Sequence, residues 1–492
     1  MTEEEDHNKS IKYTETHRDL GQKSNKNLLR ASKTDLLDSN ITLYDEVPER
    51  WYNMVAFCFC LFANGFQWFN FLPISNDFSI HYSLSLWKIK ILSMIYFIIY
   101  PFVCIPEVWL FENFSIKIGY ILSAGCTFVG SFFKIFVYYD NTISVCYIGQ
   151  ILCGLFRPLL LSSSGKIAAN WFKESKRTLI CSIICLSDTF GILVGYLWNL
   201  AFIKENATKD EFKEQMLRYM LSQCILVFLL CVPAFFIEKD KPECFSSLSQ
   251  NKRKSDLLNG LKLLFCNKNF IFLLIPTFFI VGYYFIMGNI FNNFLYLYKI
   301  TKYQCTVIYS VSISAGIISS LIISFFVDKY KKFKLFMIIL CILVIVFQAL
   351  LTLLLEIVKS KGLNTFILGI IFYILINAVI IPFYYIVMNY ACEITHPVSE
   401  SFSGGILMIF AQLCGIGGFY LFEHFINHNS DKPWIINLIL IIFFFISLIF
   451  ICFSDGKLTR YEIDKSELIK EEGDKQNEDN KIRTVEVEIK QK

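Results

Sequence analysis

The sequence predicts an all-α membrane protein in which twelve transmembrane helices form two pseudo-symmetric bundles of six. Apolar stretches of about twenty residues, each long enough to cross a bilayer, recur about twelve times between residues ~52 and ~453. Apolar types make up 55% of the chain and charged types only 18%. Matching features also recur at similar spacing in the two halves. Because a backbone in lipid must satisfy its own hydrogen bonds, the stretches are predicted to be helices.

Short polar or charged segments separate the apolar stretches and locate the predicted helix ends to within a few residues. The longest of these segments follows the sixth stretch and divides the chain into two halves. In chain order, the predicted spans are residues ~52–74, 91–111, 117–137, 143–165, 178–202, 218–237, 270–298, 304–327, 334–356, 365–391, 403–425 and 433–453.

The loops and tails predict how the chain is oriented. One set of alternate loops carries fifteen Lys and Arg residues and the opposite set about eleven, so the positive-inside rule places both termini in the cytoplasm. We expect the membrane to be the plasma membrane. The tails are polar and are expected to be disordered. The predicted parts are an N-terminal tail (1–50), a first six-helix bundle (51–237), a cytoplasmic linker (238–269), a second bundle (270–453) and a C-terminal tail (454–492).

Composition and missing motifs argue against several classes of function. The basic residues form no stripe that would bind nucleic acid. The 17 cysteines lie mostly within apolar runs, with no CxxC pair or Cys/His cluster, so we expect no metal and no cofactor. HExxH, GxSxG and Walker A sequences are absent, which predicts neither an enzyme nor an ATP-driven pump. The expected partners are a small-molecule substrate and the lipid bilayer, and the protein is expected to be a monomer.

Three charged residues lie deep within predicted spans, where a charge is costly and therefore indicates a functional site. They are Arg157 in the fourth span, Asp188 in the fifth and Glu107 near the end of the second. At ~1.5 Å rise per residue, Arg157 and Asp188 lie about 20 Å and about 17 Å from the loop that joins their spans. We therefore predict an ion pair between them. The alternative is that water or backbone carbonyls satisfy each charge separately.

An aromatic and polar cluster closes the first span. Trp68 follows Asn64 and Gln67 there, and its indole face could hold an organic cation by cation–π attraction, although packing alone would also explain it. At the matching region of the seventh span lie Tyr284 and Phe285. Gln412 adds a polar group in the eleventh span, and all six residues are candidates to bind substrate together with Arg157.

Other polar and small residues within spans have simpler interpretations. Lys134 and Lys166 lie near span ends, so their side chains are expected to extend towards the interface. Gly191 and Gly195 have the spacing of a GxxxG motif, which predicts close packing of the fifth span against a neighbour.

The loops after the second and eighth spans carry an acid followed by basic residues, in a pattern that resembles the loop signature of the major facilitator superfamily. Asp328 and Lys329 begin the fuller copy, and Glu112 begins a degenerate copy 216 residues earlier. The starts of the first and seventh spans are separated by about the same distance, which indicates an internal duplication typical of secondary transporters. We expect Glu112, Asp328 and Lys329 to act in gating.

Several longer segments resemble the feline leukaemia virus subgroup C receptor-related (FLVCR) family of facilitator transporters. The similarity covers both halves and fades in the tails and the linker. The matching segments are Asn64-Gly65-Phe66-Gln67-Trp68 with Asn76, Leu92-Ser93-Met94-Ile95-Tyr96, Pro106-Glu107-Val108-Trp109-Leu110-Phe111-Glu112, Gly149-Gln150, Lys166-Ile167-Ala168-Ala169-Asn170-Trp171-Phe172, Cys181-Ser182-Ile183, Glu393-Ile394-Thr395-His396-Pro397 with Ser399-Glu400, and Ala411-Gln412.

The resemblance implies facilitated diffusion of choline and ethanolamine, and haem transport has also been discussed for the family. It implies that Trp68 and an aromatic residue of the seventh span, either Tyr284 or Phe285, surround a quaternary ammonium, with Gln412 nearby. This chain departs from the family at Arg157, where the family has a glutamine. If Asp188 neutralises Arg157, a cation remains acceptable. If it does not, Arg157 could bind haem or another organic anion.

Two further alternatives stay open from the sequence. The transporter could be a uniporter, or Asp188 and Glu107 could couple transport to protons, because burial alters the proton affinity of a carboxyl group. The chain could also be a membrane receptor or sensor that keeps the fold and binds substrate without moving it.

Overall fold

A computed structural model describes residues 48–113, 116–139, 143–173, 176–204, 207–237, 257–361, 365–428, 432–463 and 465. Most of the two predicted tails and of the predicted linker lies outside these residues. The described residues form sixteen α-helices. They are α1 Glu49–Phe66, α2 Ser75–Tyr82, α3 Leu86–Asn113, α4 Ile116–Ile135, α5 Ile143–Leu155, α6 Arg157–Trp171, α7 Arg177–Phe202, α8 Lys209–Cys231, α9 Leu257–Cys266, α10 Lys268–Pro276, α11 Gly282–Tyr296, α12 Lys302–Tyr330, α13 Phe333–Ser360, α14 Phe366–Ile394, α15 Glu400–His428 and α16 Trp434–Phe453.

Eleven helical segments within the described residues are long and apolar enough to cross a membrane. They correspond to the second through twelfth predicted spans. The first predicted span, 52–74, is wrong at its end. Helix α1 stops at Phe66, a turn follows, and α2 begins at Ser75. Pro73 lies in this turn and cannot donate a helical hydrogen bond. The first predicted span is therefore a shorter helix that ends in a turn, and it is not among the eleven described segments that are long and apolar enough to cross a membrane.

Two other spans are interrupted in the middle. The fourth span breaks between α5 and α6 at Phe156, next to Pro158. The seventh span consists of α10 and α11 joined by one π-helical turn, Thr277–Val281, that follows Pro276. Proline and π turns are the usual causes of such breaks, because each removes or displaces a helical hydrogen bond. Both interruptions lie at the level of the predicted site.

The two halves, 48–237 and 257–463, meet along a few helices. Helix α7 contacts α12 and α14, and α15 contacts α3 and α6. Within the first half, α7 packs closely on α1. A side chain at Gly191 or Gly195 would collide with the α1 backbone at Phe62 or Phe66. The close packing predicted from the GxxxG spacing is therefore confirmed.

The boundaries of the predicted linker and C-terminal tail differ in the structure. Helix α9 lies within the predicted linker. Residues 454–463, predicted to be disordered, fold back on the helices. Arg460 is only 2% exposed and pairs with Glu400 at the start of α15, with 2.9 Å between Nη1 and Oε1. The polar composition of residues 454–463 predicts disorder, but it does not show that Arg460 is buried together with its counter-ion.

Candidate functional site

The turn after α1 presents Trp68, and two buried side chains hold that turn. Lys134 donates hydrogen bonds from Nζ to the carbonyl of Gln67, at 3.2 Å, and to the side chain of Gln150. Gln150 donates from Nε2 to the carbonyl of Trp68, at 3.2 Å. Lys134 is fully buried, so the expectation that it extends to the interface is wrong. Lys166, which is also buried, departs from the same expectation. Free carbonyls at a helix end can satisfy a buried lysine.

Trp68 is fully buried between the halves. Its Nε1 donates a hydrogen bond to the Ser93 carbonyl at 3.1 Å, which fixes the indole against α3. Phe69 stacks on the indole ring with 4.4 Å between centroids, and Phe97 lies 5.0 Å away. Phe285, from α11 in the second half, lies 5.9 Å from Trp68. Trp68, Phe97 and Phe285 therefore form an aromatic cluster that joins the two halves.

The break between α5 and α6 places Arg157 at the first position of α6. Pro158 has no N–H group, and its ring would clash with the carbonyl four residues earlier, so α5 cannot continue. The break leaves the Cys153 carbonyl free to accept a hydrogen bond from Asn64 Nδ2 at 2.7 Å. Asn64 in turn accepts a hydrogen bond at Oδ1 from Arg157 Nη1 at 3.0 Å. Asn64 thereby ties the helix break to the arginine.

Arg157 and Asp188 form a bidentate ion pair. Nη1 donates to Oδ1 and Nη2 donates to Oδ2, each at 2.8 Å. The two residues are 1% and 4% exposed. Gly65 allows this pairing, because a side chain at that position would run into Asp188. The ion pair predicted from the matching depths of the two residues is present, and the opposite charges of Arg157 and Asp188 offset each other.

The guanidinium of Arg157 also covers Trp68. Its Cζ lies 4.1 Å from the centroid of the indole ring and 5.7 Å from that of Tyr96. These distances are within the range of cation–π attraction. The sequence predicted that the indole would hold a substrate cation, whereas in this structure its partner is an arginine of the same half.

The second half contributes aromatic rings and an amide to the region around Arg157 and Trp68. Phe285 contacts Trp68, whereas Tyr284 packs on Phe285, with 5.5 Å between centroids. Of the two candidates in the seventh span, Phe285 is therefore the neighbour of Trp68. Gln412 is 1% exposed, and neither amide atom has a hydrogen-bond partner. Gln412 precedes by one helical turn Gly415, whose backbone lies against Phe285.

Glu107 supports the site from α3. Its Oε2 accepts a hydrogen bond from the backbone N–H of Leu159, in the first turn of α6, at 3.0 Å. A carboxylate stabilises a helix N-terminus because the first N–H groups have no helical acceptor. Oε1 of Glu107 has no hydrogen-bond partner. Glu107 thus holds the helix that begins with Arg157 and keeps one buried acceptor unused.

One predicted site residue points elsewhere. The side chain of Gln67 accepts a hydrogen bond at Oε1 from Asn70 Nδ2 at 3.3 Å. Asn70 also donates to Gln223 of α8 at 3.0 Å. Gln67 therefore belongs to a polar network inside the first half, while its backbone carbonyl helps to hold the turn that presents Trp68.

The predicted gating residues separate in the structure. Asp328 accepts hydrogen bonds from the backbone N–H groups of Thr178, at 3.2 Å, and Leu179, at 2.7 Å, at the start of α7. A residue of the second half thus caps a helix of the first. Lys329 is exposed and its ammonium lies over the neighbouring Tyr330 ring. The side chain of Glu112 lies outside the described part of the structure.

Two further ion pairs between the halves lie at the end of the molecule opposite to Asp328. Lys302 pairs with Asp77, with 2.6 Å between Nζ and Oδ2, and Lys90 pairs with Glu423. Asn293 adds a hydrogen bond from Nδ2 to Glu423 Oε2 at 3.2 Å. With Asp328 at one end and these pairs at the other, contacts between the halves lie on both sides of the site.

Several residues of the site were missed by the sequence analysis. Tyr96 and Phe97 belong to an apolar stretch of α3, and although Tyr96 ends one of the segments that resemble the FLVCR family, nothing there marked either ring as part of the site. Tyr385 hydrogen-bonds Thr189 across the halves, next to Asp188, and Lys134 holds the Trp68 turn. Only Lys134 carried a usable signal, since it is a charge within an apolar stretch.

Fold and site together define a membrane transporter built from two halves around a buried central site. A sequence profile described as the Major Facilitator Superfamily matches residues 57–359. The chain belongs to this superfamily and is a facilitator-type transporter, and it is an integral multi-pass membrane protein.

Among known proteins, the chain resembles the FLVCR transporters. It is 26% identical over 427 residues to a Danio rerio protein named choline/ethanolamine transporter flvcr2a, which covers 84% of this chain and 87% of the relative. It is 25% identical over 431 residues to the Homo sapiens choline/ethanolamine transporter FLVCR2, covering 85% and 80%. The resemblance seen in the sequence motifs is therefore confirmed.

Solved structures support the fold. An E. coli fucose:proton symporter superposes with a TM-score of 0.62 at 12% identity, covering 82% of this chain and 98% of the symporter. A bacterial homologue of the iron transporter ferroportin gives a TM-score of 0.60 at 9% identity, covering 82% and 99%. These similarities confirm the predicted fold class.

Proposed function

We propose that the protein transports choline or ethanolamine across a membrane by facilitated diffusion. One observation carries the proposal. The bidentate pair of Arg157 with Asp188 cancels the charge that would otherwise repel a cation, and aromatic rings line the same place. The names of the FLVCR relatives supply the substrate class. Trp68, Phe285 and Gln412 would contact the substrate, with Arg157 and Asp188 setting the charge of the site.

The contacts of Arg157 give less support to haem or another organic anion. Both of its terminal nitrogens donate to Asp188, and Nη1 also donates to Asn64. An anion would have to replace Asp188 in a buried site, which would leave that carboxylate without its counter-ion. We therefore propose an organic anion only as the second candidate substrate.

Transport would proceed by rocking the two halves about the central site. The contacts at the two ends, Asp328 with α7 and Lys302 with Asp77, would break in alternation. A uniport mechanism agrees with the contacts of the two acids, since Asp188 is paired with Arg157 and Glu107 accepts a hydrogen bond from α6. In this proposal the protein catalyses no covalent reaction, works as a monomer in the plasma membrane and keeps both termini in the cytoplasm.

Uptake of labelled choline and ethanolamine into vesicles that contain the purified protein tests the proposal. We expect saturable uptake of at least one amine that is indifferent to a pH gradient. Trp68→Ala should lower it at least about tenfold, because the aromatic cluster and the Arg157 position are both lost. The matched control is Trp109→Ala, since Trp109 lies on α3 and is 47% exposed.

Three other outcomes would change the conclusion. Binding of an amine without flux would favour the receptor or sensor. Uptake driven by a proton gradient would replace uniport by proton coupling. Uptake that Trp68→Ala leaves intact would remove the aromatic cluster from the substrate path.

A further inference from the structure

We infer that Arg157 is a built-in competitor for the aromatic face of Trp68, so that the site takes a primary ammonium in preference to a quaternary ammonium. This inference rests on the proposed transport of choline or ethanolamine and specifies which of the two amines the chain favours. The Arg157 guanidinium lies 4.1 Å from the centroid of the indole ring, and Phe69 stacks on the same ring at 4.4 Å. Trp68 has no exposed surface.

A quaternary ammonium depends on open aromatic faces. It has no N–H group and binds through cation–π attraction, within about 6 Å of a ring centroid. To reach the Trp68 face, a trimethylammonium group would have to displace Arg157. That displacement would break both hydrogen bonds of the buried pair with Asp188 and separate two opposite charges. The cost applies to any ligand that needs the indole face.

A primary ammonium depends instead on hydrogen-bond acceptors, because it has three donors. Buried groups of α3 and α15 offer such acceptors without a hydrogen-bond partner: Oε1 of Glu107, Oε1 of Gln412 and the hydroxyls of Tyr96 and Tyr100. The Cys153 thiol lies near the Tyr96 hydroxyl and the Cys104 thiol near that of Tyr100, and a thiol is a weak hydrogen-bond partner.

The acceptors of α3 lie on one face of that helix but spread over about 16 Å along its axis at ~1.5 Å per residue, so a small amine meets only neighbouring ones. Tyr96, Tyr100 and Glu107 are spaced by four and seven residues, which places them on one face of α3. Helix α3 packs against α15, the helix that carries Gln412. The Tyr96 ring lies next to Arg157. A primary ammonium can thus satisfy buried acceptors between the halves while the Arg157–Asp188 pair stays intact.

Competition between the two amines in vesicles tests the inference. We expect the wild-type protein to favour ethanolamine over choline by about tenfold in uptake rate at low concentration. Arg157→Gln should raise choline uptake and reduce this preference to near unity, because it frees the indole face. Because Arg157→Gln leaves Asp188 unpaired and can impair folding, the double variant Arg157→Gln/Asp188→Asn is measured beside it. The double variant is uncharged at both positions and should show the same change of preference.

The control is Arg218→Gln, the same substitution in the same half. Arg218 is exposed and pairs with Glu214 on the surface of α8, so the preference should not change. Thermal stabilisation of each variant by each amine reports binding separately from flux.

The outcomes separate the inference from the proposed function. If the wild-type protein favours choline, or if its preference is the same in the double variant, the inference is wrong although the proposed function stands. If neither amine is bound or carried by any folded variant, the proposed function fails and the inference fails with it.

Discussion

The charged residues at the centre of the molecule pair differently from those at its two ends. At the centre, Arg157 and Asp188 belong to the same half and form their ion pair across neighbouring helices α6 and α7. At one end, Asp328 of the second half caps a helix of the first. At the other end, Lys302 pairs with Asp77 between the halves.

This difference separates two tasks. A pair within one half keeps its geometry when the halves rock, so the charge of the site stays constant through the transport cycle. A pair between the halves must break whenever its end opens, so its strength contributes to the balance between open and closed states. The central pair should therefore affect folding and substrate choice, and the end contacts should affect the conformational equilibrium.

The largest expected effect comes from breaking the central pair. Asp188→Asn leaves the Arg157 guanidinium buried without a counter-ion, which should lower the free energy of unfolding by about 3–5 kcal/mol. Chemical denaturation of the purified protein in detergent measures the change. The double variant Arg157→Gln/Asp188→Asn should recover most of the loss. If the change in unfolding free energy of the double variant equals the sum of the changes in the two single variants, the residues are not coupled and the ion pair contributes nothing.

The contact at the Asp328 end should have an intermediate effect. Asp328→Ala removes the acceptor of two backbone N–H groups at the start of α7, a loss of about 0.5–2 kcal/mol for a helix cap. We expect faster hydrogen–deuterium exchange at Thr178 and Leu179, because this end opens more often. The matched control is Lys329→Ala, whose exposed side chain makes no contact with α7 among the described residues. Equal exchange in the two variants would show that Asp328 does not hold this end closed.

The sequence predicts the centre better than the ends, for a physical reason. Hydropathy gives the spans, because a helix in lipid needs a long apolar run. The depths of Arg157 and Asp188 follow from counting residues along adjacent helices, and so their pairing could be predicted. Which residue of the other half meets a given end depends on how the halves dock, so the pairing of Lys302 with Asp77 carries no local signal. The pairing of Arg460 with Glu400, within the second half, also joins residues far apart in the sequence.

Two features of the site were also beyond sequence analysis. The position of Arg157 over Trp68 results from two backbone breaks, one after Phe66 and one at Phe156, that bring the two side chains together. Lys134 was misinterpreted because its distance from the span end suggests an interfacial side chain. Its actual role depends on the free carbonyls that the end of α1 leaves beside it.

The smallest effect is expected at the other end, where two ion pairs differ in exposure. The side chains of Lys302 and Asp77 are 34% and 36% exposed, whereas those of Lys90 and Glu423 are 9% and 13% exposed. An exposed pair contributes about 0.2–1 kcal/mol and is screened by salt. Asp77→Asn should therefore increase exchange at the start of α12 less than about fivefold, and the increase should vanish at high salt.

The less exposed pair at the same end provides the comparison. Glu423 accepts hydrogen bonds from Asn293 and Lys90, so Glu423→Gln removes a charge from a site that solvent hardly reaches. Its effect on exchange should persist at high salt, because mobile ions screen a buried pair much less. The same salt dependence for Asp77→Asn and Glu423→Gln would mean that both pairs are equally hydrated in solution. In that case the exposed fraction of the side chains would not predict which pair holds this end more strongly.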